Sequence, residues 1–167
     1  MRPLFSLKNR LAAVADMVPP GAVLADVGTD HAYLPVWLLR SGKIPRALCG
    51  DVKQGPLAAA RRTAQKYGCE PQMEFILSDG LAGFTPEQMD AIVIAGMGAD
   101  TQIGILSAAT AFWDSRYSFI LQPMSKQERL IAWLDEHGFV IEEQRIAAEG
   151  KRRYLCIKTR YREGEQP

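Results

Sequence analysis

Apolar positions along the chain switch between two spacings. From Ser6 to Val18, Leu7, Leu11, Val14, Ala15 and Val18 recur at helical intervals, and Pro19-Pro20-Gly21 closes the run. "AVLADV" (Ala22 to Val27) is a continuous apolar run broken by one acid, as in a strand buried on both faces. The alternation then repeats. Ala32 to Arg40 reads as a helix, with Pro35 tolerable only near its first turn. Ala47 to Val52 reads as a strand, Pro56 to Tyr67 as a helix closed by Gly68, and Met73 to Ser78 as a third strand. A fourth strand lies within Asp90 to Gly98, a helix spans Thr101 to Phe112, and a fifth strand covers Ser118 to Pro123. After a helix over Lys126 to His137, "FVIEEQRIAAEGKRRYLCIKTR" reads as two strands about a turn at Glu149-Gly150.

Strands alternating with helices mean βαβ units and a parallel sheet. A terminal hairpin requires one antiparallel strand. The expected fold is therefore α/β and Rossmann-like: seven strands, mostly parallel, one reversed in the C-terminal hairpin, helices on both faces. We expect one domain over residues 1–167. It has an N-terminal helix within 1–20, the hairpin at 139–160 and a polar tail at 161–167.

Composition changes this picture little. The chain has 167 residues, 47% hydrophobic, and a net charge of +1, so overall charge points to no nucleic acid. The distribution says more. Arg145, Lys151, Arg152, Arg153, Lys158, Arg160 and Arg162 crowd the C-terminal hairpin, while Asp26, Asp30, Asp51 and Asp79 fall in the first half. A basic edge beside an acidic centre suits an anionic partner at the rim of a cleft, though a solvated hairpin has the same look. Cys49, Cys69 and Cys156 are odd in number, and two of them sit in apolar runs, as reduced core thiols would. No Cys/His cluster suggests a metal. No signal peptide or membrane-length apolar run is read, so a cytoplasmic protein is expected.

In open α/β sheets ligands bind beyond the carboxyl ends of the strands. Gly28, Thr29, Asp30 and His31 follow the first strand, and Asp51 ends the second, with Val52 next to it. Asp79-Gly80 ends the third, Gly96-Met97-Gly98 the fourth, and Gln122-Pro123 the fifth. Asp51 lies about twenty residues beyond the glycine turn, where an acid accepts from a ribose diol. Asp79 is placed to accept from an adenine amine. Asp26, inside the first strand, is placed to fix the loop or a cationic amino group. A lone strand-end Asp is an ordinary turn cap; three at consecutive strand ends describe a nucleoside pocket. A dinucleotide turn carries three glycines to admit pyrophosphate. "GTDHAY" keeps only Gly28 and adds an acid that would repel phosphate. S-adenosylmethionine has no phosphate and is cationic, so an acid beside it is favourable.

"LKNRL", "DVGTDHAYLP", "SDGL", "GMG", "LQP" and "GKRRYLCI" together resemble the bacterial tRNA adenine-N1 methyltransferases of the TrmK type, within the class I S-adenosylmethionine-dependent methyltransferases. The resemblance spans Leu7 to Ile157. It implies methyl transfer to N1 of an adenine in the D-loop of tRNA, in the cytoplasm. It implies cofactor contacts at Gly28, Thr29, Asp51, Val52, Asp79 and Gly80, and puts Asp30, His31 and Tyr33 beside the methyl group and target base. To these the reading adds Asp26 and Gly96 for the cofactor, and Met97, Gln122, Pro123, Lys151, Arg152 and Arg153 for the substrate. Asp30 is the candidate to offset charge developing on the base. His31 would orient Asp30 or take a proton from the product, and Tyr33 would stack on the base or hydrogen-bond it. Asp30 as a helix cap, His31 bonded to backbone and Tyr33 in the core are the plainer assignments. Family members continue into a helical coiled-coil extension that grips tRNA. This sequence reaches Pro167 without one, as either a compact or a truncated form would, which leaves tRNA affinity and specificity open, together with a homodimer or a separate RNA-binding partner. The family also has another glycine where Ala99 follows "GMG". A methyltransferase of small molecules or proteins, or a cofactor-binding module without catalysis, would share the pocket.

Overall fold

The computed structural model describes residues 3–162; the rest of the expected tail, residues 163–167, lies outside the described residues. Its elements follow the alternating pattern: α1 (Asn9–Met17), β1 (Val23–Val27), α2 (Tyr33–Arg40), β2 (Arg46–Asp51), α3 (Gln54–Lys66) and β3 (Met73–Leu77). Then come β4 (Ala91–Met97), α4 (Ala99–Ala108), β5 (Ser118–Pro123), α5 (Gln127–Glu136), β6 (Phe139–Glu149) and β7 (Arg152–Tyr161). The seven strands form a sheet in the order β3-β2-β1-β4-β5-β7-β6. All neighbours from β3 to β5 are parallel; β7 runs antiparallel to both β5 and β6. β7 is thus the reversed strand, one place in from the edge. The chain belongs to the seven-stranded Rossmann-like architecture.

The apolar runs are continuous because both sheet faces are covered. Along β4, Ala91 and Val93 pack with α1, α2 and α3 on one face, while Ile92 and Ile94 pack with α4 and α5 on the other. Pro35 and Pro56 each stand third in their helices, where no intrahelical N–H is required. α3 accordingly begins at Gln54, two residues before its expected start. The helix expected over 101–112 breaks after Ala108 and resumes as a 3-10 turn at Thr110–Phe112. The hairpin turn is Gly150-Lys151, one residue later than read, because Glu149 still pairs with Arg152. Tyr161, read as tail, belongs to β7: it pairs with Phe139, and their rings sit 5.4 Å apart. A bulge between Ile141 and Glu143 bends the outer strand β6.

Strand order reverses between β1 and β4. β1 leads outward to β2 and β3; the chain then returns to lay β4 on the other side of β1. Such a switch point opens a crevice at the carboxyl ends of the strands.

Candidate active site

The crevice holds a cavity of about 490 Å³, within the range of small-molecule sites. Its floor is the β1–α2 turn. Gly28 has φ +75°, so the turn needs glycine for its conformation; an added Cβ would also displace the flexible end of the Met97 side chain, whose Cε would lie 2.3 Å away. The N–H groups of Gly28 and Thr29 both donate to Gly50 O at 2.9 Å. A dinucleotide turn would offer such amides to pyrophosphate; here they are spent within the protein.

Two residues of the turn, Asp30 (φ 54°) and Ala32 (φ 61°), are left-handed. Asp tolerates this region, but Ala loses roughly 1–2 kcal/mol there. This strain sits on the cavity wall, between Thr29 and the start of α2. The Asp30 carboxylate is 76% exposed. α2 has no side-chain cap, so Asp30 does not serve as one. Asp30 approaches only His31, whose Nε2 lies 4.0 Å away, beyond hydrogen-bond reach. His31 stacks instead on Tyr33, centroids 5.5 Å apart and planes 24° from parallel. Tyr33 is 47% exposed, with Phe5 edge-on behind it at 5.3 Å. The two rings therefore line the mouth, neither in the core nor capping the helix.

Asp26 is buried and accepts from Thr29 Oγ1 at 2.8 Å. Burial raises its pKa to about 6; the Thr29 hydrogen bond lowers it, and the Asp51 and Asp30 charges raise it further. Asp51 uses one oxygen on the N–H of Lys53 (3.2 Å), a local turn bond. Asp79 also lines the cavity. Val52 is 60% exposed beside it, and Gly80, with φ +58°, lets the backbone pass within reach of Ile105. Asp26, Gly28, Thr29, Asp30, His31, Tyr33, Asp51, Val52, Asp79, Gly80, Gly96 and Met97 all line this one cavity.

Gln122 and Pro123, expected to touch substrate, do not reach the cavity surface. Gln122 is fully buried, and its Oε1 accepts from Arg10 Nη1 (2.7 Å) and the Gly96 N–H (3.0 Å). Its Nε2 donates to Pro123 O at 3.0 Å. It is a crosspiece, so only residues held by it can face a ligand. Arg10, Leu11, Ser78, Thr101 and Ile105 also line the cavity without having been read from the sequence. Ser78 carried a faint signal as the polar end of a strand. Arg10 lies in the "LKNRL" motif, but its place in the cavity depends on partners 112 and 139 residues away.

Lys151, Arg152 and Arg153 form the hairpin tip. β7 runs against β5, so its first residues lie beyond the carboxyl end of β5, on the cavity side. The tip clasps α1: Glu149 Oε1 accepts the Arg10 N–H at 2.9 Å. Elsewhere on the basic edge, Arg145 pairs with Asp16 and Glu143, and Arg160 and Arg162 share Glu142. The tip is a run of three consecutive cations. Cys49, Cys69 and Cys156 are buried free thiols whose pKa values burial raises, which keeps them protonated and unreactive. No helix among the described residues is long and apolar enough to cross a membrane.

Fold and cavity together define an open, doubly wound α/β protein with carboxylates at the ends of its first three strands. Residues 7–157 match the methyltransferase-domain family. The Bacillus subtilis tRNA (adenine(22)-N(1))-methyltransferase is 34% identical over 151 residues, 90% of this chain and 63% of that protein. Streptococcus pneumoniae Sp1610, solved with S-adenosyl-L-methionine, superposes at a TM-score of 0.89 with 34% identity, covering 97% of this chain and 76% of that one. M. capricolum TrmK, solved with S-adenosyl-homocysteine, superposes at 0.82 with 27% identity, covering 98% and 73%. The chain belongs to the methyltransferase-domain family, in the TrmK-type branch that these relatives represent. It spans 63% of the length of the B. subtilis relative.

Proposed function

We propose that this chain is an S-adenosylmethionine-dependent methyltransferase that methylates N1 of an adenine in tRNA. The observation that carries the reading is a cavity lined by four carboxylates, Asp26, Asp30, Asp51 and Asp79, whose turn amides are already occupied. Such a lining suits a phosphate-free, cationic nucleoside. The B. subtilis relative's activity supplies the target. The reading treats residues 1–167 as one catalytic domain and places it in the cytoplasm, with tRNA as its partner.

Bound S-adenosylmethionine supplies an electrophilic methyl group. Asp51 would accept from the ribose hydroxyls, Asp79 from the adenine amine, and Asp26 from the cofactor's ammonium. Val52 and Ile105 would hold the adenine between them. The target nitrogen has its own lone pair, so attack needs position more than a base. The target ring becomes cationic as the bond forms. Asp30, free of any hydrogen-bonding partner among the described residues, is the group to offset that charge. His31 and Tyr33 would offer a stacking face to the incoming base, with Met97 as its apolar floor. The Lys151-Arg152-Arg153 tip would meet phosphates on the same side.

The test is to incubate the protein with labelled S-adenosylmethionine and tRNA, digest the RNA and identify the labelled nucleoside. Label in 1-methyladenosine is the expected result. Label in another nucleoside, or none despite measured cofactor binding, overturns the assigned reaction.

A further inference from the structure

A second cavity, of about 470 Å³, lies beside the first. The two share a wall made of Asp79, Gly80, Thr101 and Ile105. That wall is thin. A Cβ added to Gly80 would lie 3.1 Å from both Cγ1 and Cγ2 of Ile105, so at one point the partition is a single side chain leaning on a glycine. Beyond it the second cavity runs between the segment that follows β3 and the helix α4. Leu81, Phe84 and Phe112 give it buried apolar walls. On the helix side Gly104 and Ala108 line it, and a Cβ added to Gly104 meets nothing within 4 Å.

The two cavities differ in chemistry. Four carboxylates line the first. Among the described residues the second has one charged side chain, Asp79, and that one belongs to the shared wall. An apolar hollow of this size favours an apolar occupant. A ligand that uses both cavities is therefore a hydrogen-bond donor at Asp79 and apolar beyond it. Asp79 is the group assigned above to the adenine amine. An amine carrying one apolar substituent still has one N–H for the carboxylate, and its substituent can pass Ile105 into the second cavity.

We propose that the second cavity is a subsite for an apolar substituent on the adenine amine of an adenosyl ligand, entered past Ile105. This rests on the cofactor reading above and adds a ligand class to it: adenosyl compounds bearing one apolar group on N6. Asp79 then reads the presence of an N–H and not the absence of a substituent. Gly104 and Ala108 set the room available, because they stand one turn apart on the same face of α4 and carry almost no side chain.

Calorimetry on the full chain tests this with two ligands, S-adenosyl-homocysteine and its N6-benzyl derivative. The parent should bind the two within about tenfold of each other, since burial of the ring offsets the cost of seating it. Gly104→Leu places a side chain in the second cavity alone. It should weaken the derivative on the order of tenfold to a hundredfold and S-adenosyl-homocysteine by less than about twofold. Leucine is the better helix former, so α4 keeps its fold. Ala108→Leu is a second variant with the same expected outcome, and Gly104→Ala, too small to fill the space, should change neither ligand. A parent that binds S-adenosyl-homocysteine but rejects the derivative shows the passage closed. A derivative bound equally by the parent and both leucine variants has its ring in solvent. Equal loss of both ligands means that α4 only shapes the first cavity. Each of these overturns the subsite. A parent chain that binds neither ligand overturns the cofactor reading itself, a different failure from those three.

Discussion

The two halves of the cavity rim are built in opposite ways. The acidic half, at the ends of β1, β2 and β3, consists of short turns whose key side chains are left unengaged. Among the described residues the Asp30 carboxylate has no hydrogen bond, and that of Asp51 has only a local one. The basic half, at the ends of β4 to β7, is assembled from distant segments and tightly cross-braced: Gln122 holds Arg10 and Gly96, and Glu149 holds the start of α1. The difference teaches where each kind of specificity comes from. Unengaged carboxylates keep their full hydrogen-bonding capacity for a ligand. A lone long cation needs bracing, because an unheld arginine loses much rotamer freedom on binding.

The sharpest way to break this comparison is Asp30→Asn. The change is nearly isosteric and removes the charge that would face the methylated base. Turnover on tRNA should fall on the order of a hundredfold or more, with S-adenosyl-homocysteine affinity little changed. The structure removes the capping alternative, so a variant with normal turnover would leave Asp30 without a role. Next in size is Asp51→Ala. Losing the ribose contacts should weaken S-adenosyl-homocysteine by about 2–3 kcal/mol in calorimetry. An unchanged affinity would dissolve the acidic half as a ligand site.

Asp26 gives a smaller, pH-dependent effect. Its folded pKa of about 6 lies above the ordinary 3.8, so the unliganded fold favours the neutral acid. Stability is therefore fully present below about pH 4 and declines as pH rises through 6. Asp26→Asn should stabilise the free protein by about 3 kcal/mol at pH 7 and by only about 0.5 kcal/mol at pH 4, read from thermal melts. In the parent, S-adenosyl-homocysteine should bind more weakly as pH drops through 6, because its ammonium favours the carboxylate form.

The basic half is tested last. Replacing Lys151, Arg152 and Arg153 with Gln should weaken tRNA on the order of tenfold at moderate salt and flatten the dependence of affinity on salt. Cofactor binding should stay as it was. An unchanged salt slope would make the tip a solvated turn, as Arg153 folding back onto Gly150 O and Arg152 O already partly suggests by its geometry.

The acidic half was legible in the sequence because strand-end position is a local property. Once β1, β2 and β3 are placed by their apolar runs, Asp51 and Asp79 must emerge at the same edge of the sheet. The left-handed turn was less so: "GTDHAY" shows one glycine, yet Asp30 and Ala32 share its positive φ. The basic half was illegible for a physical reason. Gln122 looks like a strand-end ligand, but its side chain turns inward, and only pairing between remote segments reveals that Arg10 stands in its place. The charge count misled similarly, since folding β6 against β7 brings Glu142 alongside Arg160 and Arg162, which look uncompensated in the linear sequence.

The clasp between Glu149 and α1 also has a consequence for biosynthesis. Arg10 is synthesised before the groups that aim it, because Gln122 and Glu149 follow 112 and 139 residues later. At about 5–20 residues per second, the acid-bearing turns are made seconds before the guanidinium can be fixed opposite them. A nascent chain thus has a cleft with one end open until the β6–β7 hairpin closes it.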